Sequence, residues 1–501
     1  MAGAGQDLAR DLVRFTRQSS RRHTRARTSL VDVFVDLYST ALAAGFVLTL
    51  VVSFVLALRD ELVARSRVEA SLVDERWHVL PQEVLWAGLT YGALVGLIAT
   101  ARKLGPVAVA GAEGAWWLPL PVDRRPMILP GFLRRVLAVG LGAFVVYVPF
   151  SLLTAGTREL GTHLVAAGIF GAVAVIAVGC AVLLQSGRRG TRTARITGLL
   201  GFVPLALLPF LASSPVPLLT SVLGAGALVA YLSPRVAAIS GAELVRGGAV
   251  SGHVGASLFF LDANELTRAL APGPRPAAAR RAAGFYAGAV RSPFHALVRA
   301  DAVAFLRAQP PPLGPFVWLL VCVVPVLVEP ALPVLLYLVV ATVAGCAVSS
   351  GFGTVARRTA IIPELGALLP LTPAAVRCSR IMMPALATAV WLGALTVVLV
   401  ALGAAGPLLI LLGVIAGIGM GAGVVRAAFR PPTDWTRPLI DTPFGPVPAD
   451  QLSSLLRGTD TTVLAVVPLL LALYLGEVSP VLILAQGVAS AIAVVACVAG
   501  K

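Results

Sequence analysis

Charge is scarce in this 501-residue chain: 13% of residues are Asp, Glu, Lys or Arg, against 57% apolar. Soluble domains carry about a quarter charged residues, so the composition excludes an ordinary water-soluble fold and points to lipid as the solvent. Lysine is almost missing. Lys103 and Lys501 are the only two, and neither stands in the G-x4-G-K-[ST] context that brings a lysine to nucleotide phosphates, so the chain has no P-loop. The five histidines (23, 78, 163, 253 and 295) form no i, i+4 pair, which removes a helical zinc site. The five cysteines share no metal-ligand spacing. No G-x-S-x-G surrounds any serine, and Gly351-Phe352-Gly353-x-x-Ala356 follows an apolar span and not a strand, so it is no dinucleotide fingerprint. The reading is of a protein that is not itself an enzyme, with no cofactor, metal or catalytic residue.

Long uncharged runs are abundant instead. Residues 37–58, 136–155, 163–184, 384–404 and 481–500 each lack charge and are long enough to cross about 30 Å of hydrocarbon as a helix. Only internally bonded backbone survives there, so the expected class is all-α and polytopic. Twelve spans are placed near 37–58, 84–101, 136–155, 163–184, 196–212, 217–233, 315–328, 331–350, 381–402, 405–425, 463–476 and 480–499. The net charge of +16 then acquires a direction. Segments on the side of the N-terminus hold 35 of the 40 basic and 15 of the 24 acidic residues, so the two faces carry +20 and −4. That is the positive-inside asymmetry of an inner or plasma membrane protein with both termini cytoplasmic, and it displaces a nucleic-acid reading of the basic balance. None of the cysteines falls on the outer face, where a disulfide would form. Thirty-six residues, most of them polar, precede the first span, too many for a cleaved signal, so that span reads as an anchor.

An internal repeat organises the spans. Residues 113–121 read EGAWWLPLP and residues 364–371 read ELGALLPL. Both fit E-x4-L-P-L, followed by Pro121 and Arg125 in one copy and by Pro373 and Arg377 in the other. Each lies in a basic loop after the second span of a six-span block. A second match precedes each block: at an offset of 290, Asp11 pairs with Asp301, Phe15 with Phe305 and Arg17 with Arg307. The expected halves are 1–250 and 291–501, parallel repeats about an axis along the membrane normal, joined by a cytosolic linker at 251–290. Its APGPRPAAARRAAG core (271–284) reads as flexible and exposed. Leu8, Leu12 and Phe15 make one apolar edge of a short amphipathic helix suited to the inner leaflet.

Two glycine stripes, Gly88-Gly92-Gly96 and Gly413-Gly417-Gly421, read as close helix packing. Outer loop 59–83 carries Glu61, Arg65 and Glu69 at helical steps, together with the acidic pairs Asp60-Glu61 and Asp74-Glu75. Polytopic glycosyltransferases resemble this in using acids of a first outer loop, while solvated helix charge is the simpler reading. The spans hold almost no carboxylate or histidine for a coupling ion, since Glu329, Glu477 and His163 sit at outer ends.

The segment EGAWWLPLPVDRRPMILPGFL (113–133) resembles the coupling-helix region of ABC-2 type exporter permeases, and ELGALLPLTPAAVRCSRIMMPAL (364–386) resembles a weaker copy. TRPLIDTPFGPVP (436–448) and LLRG (455–458) resemble a group of actinobacterial membrane proteins of unassigned function. The first resemblance implies a permease of two fused half-transporters, each with an amphipathic elbow and six spans. It also implies a separate ABC ATPase, in two copies, docked near Glu113, Pro119, Pro121, Arg124, Arg125, Glu364, Pro370, Pro373 and Arg377. Hydrolysis would then occur in that partner, and the cargo is not specified. In that family re-entrant outer helices separate the fifth and sixth spans, and here only residues 204–217 have room to dip in that way. The alternatives are an ion-coupled secondary transporter, a membrane glycosyltransferase and a non-transporting scaffold.

Overall fold

The computed structural model describes residues 2–27, 82–154, 159–186, 201–259, 263–270, 290–308, 313–328, 334–362, 368–429, 439–442, 445–448 and 458–499, with isolated positions between 34 and 57 and at 364 and 366. The first span (37–58) apart from those isolated positions, the outer acidic loop and the 271–284 linker lie outside this set. The chain divides into two compact units at Gly255 and Ala256.

The first unit opens with α1 (Ala2–Arg27), followed by α2 (Gln82–Leu104), α3 (Gly111–Trp117), α4 (Arg125–Thr154) and α5 (Leu160–Ser186). Then come α6 (Phe202–Leu207), which tightens into a 3-10 turn over Leu208–Leu211, α7 (Val216–Leu232) and α8 (Gly241–Phe259). At the centre stands α5, with 61% of its most apolar window buried against 17% for α4. Its Ala- and Gly-rich sequence is the cause. Gly171 lies so close to the Gly140 carbonyl of α4 that a methyl there would come within 2.8 Å of it, and Gly179 receives Leu228 of α7. Small residues of this kind let helix backbones approach in a medium that supplies no hydrophobic drive between helices. The outer face of α4, with Leu137, Leu141 and Val146 more than 60% exposed, is the surface left for lipid.

The second unit contains α9 (Ala263–Leu270), α10 (Pro293–Ala308), α11 (Leu313–Val328), α12 (Val334–Phe352) and α13 (Thr354–Thr359). It continues with α14 (Pro373–Ala401) and α15 (Leu408–Ala428). A two-stranded antiparallel hairpin, β1 (Leu439–Thr442) and β2 (Gly445–Pro448), follows, with Ile440 opposite Val447. It is made from the TRPLIDTPFGPVP segment and is the one strand pair among the described residues. The chain closes with α16 (Thr459–Leu464), α17 (Val467–Leu475) and α18 (Pro480–Ala499). Here α15 is central. Cβ atoms on Gly417 and Gly421 would fall 2.4 and 2.5 Å from the backbone of Ala389 and Ala385 in α14, so this glycine stripe is a helix-packing seam. Gly88, Gly92 and Gly96 on α2 meet no described atom within 4 Å.

Among the described residues, seven helices are long and apolar enough to cross a bilayer: Leu85–Leu104, Arg125–Leu152, Leu160–Ser186, Val334–Phe352, Pro373–Ala401, Leu408–Ala428 and Pro480–Ala499. The chain is therefore a polytopic helical membrane protein. Four of the remaining expected spans correspond to shorter apolar helices, at Phe202–Leu211, Val216–Leu232, Gly314–Val328 and Thr459–Leu475. Two of these are broken inside an apolar unit, which leaves backbone groups to satisfy. Gln486 of α18, fully buried, does this at the break between α16 and α17. Its amide donates to the Ala465 carbonyl at 2.6 Å and its oxygen accepts from the Leu469 N–H at 3.1 Å.

Candidate functional site

The first E-x4-L-P-L segment forms a built structure at one end of the first unit. After α2 the chain turns at Gly105, whose φ of +73° favours glycine, and runs without helix or strand, buried at Val107 and Val109, to the start of α3. A buried stretch outside helix and strand needs partners for its backbone, and two elements supply them. Gln185, at the end of α5, accepts from the Val107 N–H at 3.2 Å and donates to the Val107 carbonyl at 2.9 Å. From α8, the Leu244 carbonyl accepts the Val109 N–H at 3.2 Å. The Gly247-Gly248 pair of α8 makes room for this contact, since a Cβ on Gly248 would sit 1.7 Å from the Val109 carbonyl oxygen.

From this clamped stretch α3 projects. Glu113 stands in its first turn, exposed, where a carboxylate suits the helix dipole. Trp116 is 78% exposed, and Trp117 turns inward. Pro119 and Pro121 are exposed in the turn that follows. Arg124 donates to the Leu118 carbonyl at 3.1 Å and so closes that turn from within. Arg125 is exposed and begins α4, its N–H held by the Asp123 carboxylate at 2.9 Å.

Beside α3 lies a cleft of about 890 Å³ between α1, α3 and the start of α4. Val13, Thr16 and Ser20 form its α1 wall, while Glu113, Trp117 and Arg124 form another. Arg134 and Arg135 close it from α4, and Glu113 acts electrostatically on Arg135. Ala9, fully buried, continues the same inner edge of α1. The Leu8-Leu12-Phe15 edge is a different one, with Leu8 54% and Phe15 71% exposed. Thus α1 has two working faces, one packed on α4 and one apolar face left open.

In the second unit, Glu364 is exposed and opens a helical turn, its carbonyl accepting the Leu368 N–H at 3.3 Å. Leu368 is 80% exposed. Pro370 and Pro373 are exposed, and Thr372 caps α14 by accepting from the Ala375 N–H at 3.2 Å. Arg377 is half-buried and donates to the Val498 carbonyl at 3.2 Å, tying α14 to the end of α18. Arg124 and Arg377, read from sequence as partner-facing, both have bonds inside the chain.

The two segments paired by sequence at an offset of 290 differ in environment. Asp11 is exposed and lies 3.9 Å from Arg14 on its own helix. Asp301 is 4% exposed, ion-paired with Arg380 and accepting from the Ser379 hydroxyl at 2.7 Å. Phe305 is buried where Phe15 is open. Nearby, Arg268 of α9 donates to the Arg357 carbonyl at 3.3 Å. Burial pushes the Arg357 guanidinium down to about 10, and the Arg268 charge adds to the effect.

Sequence reasoning missed Gln185, Gln486, the Gly247-Gly248 pair, and the Arg134-Arg135 pair that closes the cleft. The one signal available was a lone amide in each of two apolar helices. Among the described residues no group of three or more metal-ligating side chains occurs. No curated protein and no solved structure matches the chain. One family model does match, over residues 80–438, its description reading Family of unknown function (DUF6297). Those residues hold both E-x4-L-P-L segments and most of the two units, and the chain belongs to that family.

Proposed function

We propose that the protein is the transmembrane permease of an ATP-driven exporter, energised by a separate ATPase that docks at the two E-x4-L-P-L segments. The observation that carries this reading is a pairing of rigidity with exposure. Each segment opens with an exposed glutamate on a helical turn and thrusts a large apolar side chain into the open, Trp116 at 78% and Leu368 at 80% exposure. In the first unit the base is clamped by Gln185, Leu244 and Gly248, as a lever that transmits a partner's motion requires. Tryptophan is among the side chains that most often anchor protein interfaces.

The finer architecture belongs to the same proposal. It comprises twelve spans as two parallel six-helix halves, 1–250 and 291–501, with both termini and both glutamate segments in the cytoplasm and the protein in the plasma membrane. Support comes from the charge of +20 against −4 between the faces. Further support comes from the packing of α1 on α4 and of α10 on α14, so that in each unit a helix carrying arginines meets the span that follows the glutamate segment. Two ATPase copies would close and reopen, rocking one half against the other around an unidentified cargo.

The test is co-purification with an ATPase bearing Walker motifs encoded beside this chain. Wild type is expected to retain it, and Glu113→Ala/Glu364→Ala and Trp116→Ala/Leu368→Ala to lose it. Equal retention by both double variants overturns the assignment. A second reading, an ion-coupled carrier, draws on His163, which is 1% exposed with its Nδ1 2.9 Å from the Ser151 hydroxyl. It requires transport by the chain alone in vesicles, and loss of that transport in His163→Gln. The acids of the glycosyltransferase alternative (Asp60, Glu61, Asp74 and Glu75) lie outside the described residues.

A further inference from the structure

The cleft between α1, α3 and α4 shares Glu113 and Arg124 with the exporter reading, but neither that reading nor the family match accounts for its Arg134-Arg135 wall. Three guanidinium groups, on Arg124, Arg134 and Arg135, line it against one carboxylate, Glu113. Arg124 is partly engaged with the Leu118 carbonyl, and Arg134 donates through Nε to the Pro130 carbonyl at 3.3 Å. These bonds leave the terminal nitrogens of Arg134 for a ligand and orient the side chain. Glu113 draws on Arg135, but one negative charge leaves the described lining with a surplus of two positive charges. The remaining wall is apolar in part, through Val13, Met127 and Leu133.

Position decides what such a site meets. Arg135 is the last charged residue of α4, and the next nineteen residues, 136–154, are uncharged. The cleft therefore sits where the polar boundary of the membrane gives way to hydrocarbon. Leu8 and Phe15, on the exposed edge of α1, place that helix at the same boundary. About 890 Å³ is ample for a glycerophosphate headgroup, within the range of small-molecule sites. Guanidinium forks match phosphate oxygens bidentately, and basic pockets at the ends of membrane helices are suited to anionic headgroups.

We propose that this cleft binds one anionic phospholipid, its phosphate on Arg134 and Arg135 and its acyl chains leaving along Val13 and Leu133. The occupied cleft cements α1 to α4 and thereby steadies the base from which α3 projects. On α3 the two faces divide the work: Glu113 and Trp117, one turn apart, line the cleft, and Trp116 is not part of its lining. The proposal shares Glu113 with the ATPase reading, but its test falls on Arg134 and Arg135, which that reading does not use, so the two can fail separately.

The experiment is native mass spectrometry of the full-length protein in detergent, titrated separately with phosphatidylglycerol, phosphatidylcholine and inorganic phosphate. One phosphatidylglycerol is expected to bind at least about tenfold more tightly than phosphatidylcholine, in keeping with charge-assisted phosphate bonds. Arg134→Gln/Arg135→Gln is expected to abolish the preference, and Arg134→Lys/Arg135→Lys to keep part of it. Arg10→Gln/Arg14→Gln, which removes exposed charge on α1 outside the cleft, is expected to leave it intact. Equal binding of both lipids overturns the proposal, as does an equal loss in the Arg10/Arg14 variant. Displacement of the lipid by millimolar phosphate overturns the lipid as ligand and reassigns the site to a free anion. If the Gln pair fails to fold, retention of the preference in Leu133→Asp overturns the assigned acyl path.

Discussion

Two glutamines carry a burden that their small number conceals. Gln185 and Gln486 each bond backbone groups released where the chain leaves helical geometry, Gln185 at Val107 and Gln486 at Ala465 and Leu469. In an apolar surrounding an unpaired amide or carbonyl has no water to turn to. Gln185→Leu orphans both groups of Val107 and is expected to lower stability by about 2–4 kcal/mol, read as an earlier thermal midpoint in detergent. A Glu substitution at the same position can accept but not donate, and is expected to recover little. Gly248 is a steric counterpart. A methyl carbon there would lie 1.7 Å from the Val109 carbonyl oxygen, far inside van der Waals contact, so Gly248→Ala should sharply reduce folded yield on size-exclusion chromatography. Gly487→Ala, which meets no described atom within 4 Å, should be tolerated.

Elements are joined in the two units by different means, although sequence pairs their segments. In the first unit α1 rests on α4 through small residues and a charged cleft, with Asp11 left at the surface. In the second unit α10 is bolted to α14 by Asp301, which takes Arg380 and Ser379 together out of solvent. Breaking one partner of a buried pair strands the other, a loss of about 3–5 kcal/mol. Asp301→Asn is therefore expected to destabilise the protein by that order, measurable by thermal or chemical denaturation in detergent. The double variant Asp301→Asn/Arg380→Met should restore much of the loss, because no charge is then left alone. Asp11→Asn should change stability by less than about 0.5 kcal/mol, the usual range for an exposed pair. A comparable effect at both positions would refute the structural distinction between α1 and α10.

Across the whole molecule the membrane imposes the sidedness. With 35 of 40 basic residues assigned to one face, the orientation prediction is concrete. In a background freed of the five native cysteines, Glu477→Cys should react with an impermeant maleimide on intact cells. Arg125→Cys should react only after permeabilisation. Labelling of both without permeabilisation would discard the twelve-span orientation while leaving the helical membrane fold intact.

Hydrophobic runs and charge sparsity decided by themselves that this chain is a bundle of membrane helices. Lipid demands internally bonded backbone over about twenty apolar residues, and that demand is read from local composition alone. The Gly413-Gly417-Gly421 seam was legible for the same local reason, since a gap of three residues keeps small side chains on one helix face. The exposed positions of Glu113 and Glu364 followed from their motifs, but their settings did not. Only tertiary structure brought Gln185 to Val107 across 78 positions of chain, and Arg134 and Arg135 opposite Glu113 and α1. It also separated Asp11 from Asp301, one in solvent and one in an ion pair. A sequence motif records which side chains are present, whereas burial and pairing depend on which distant backbone comes to lie beside them.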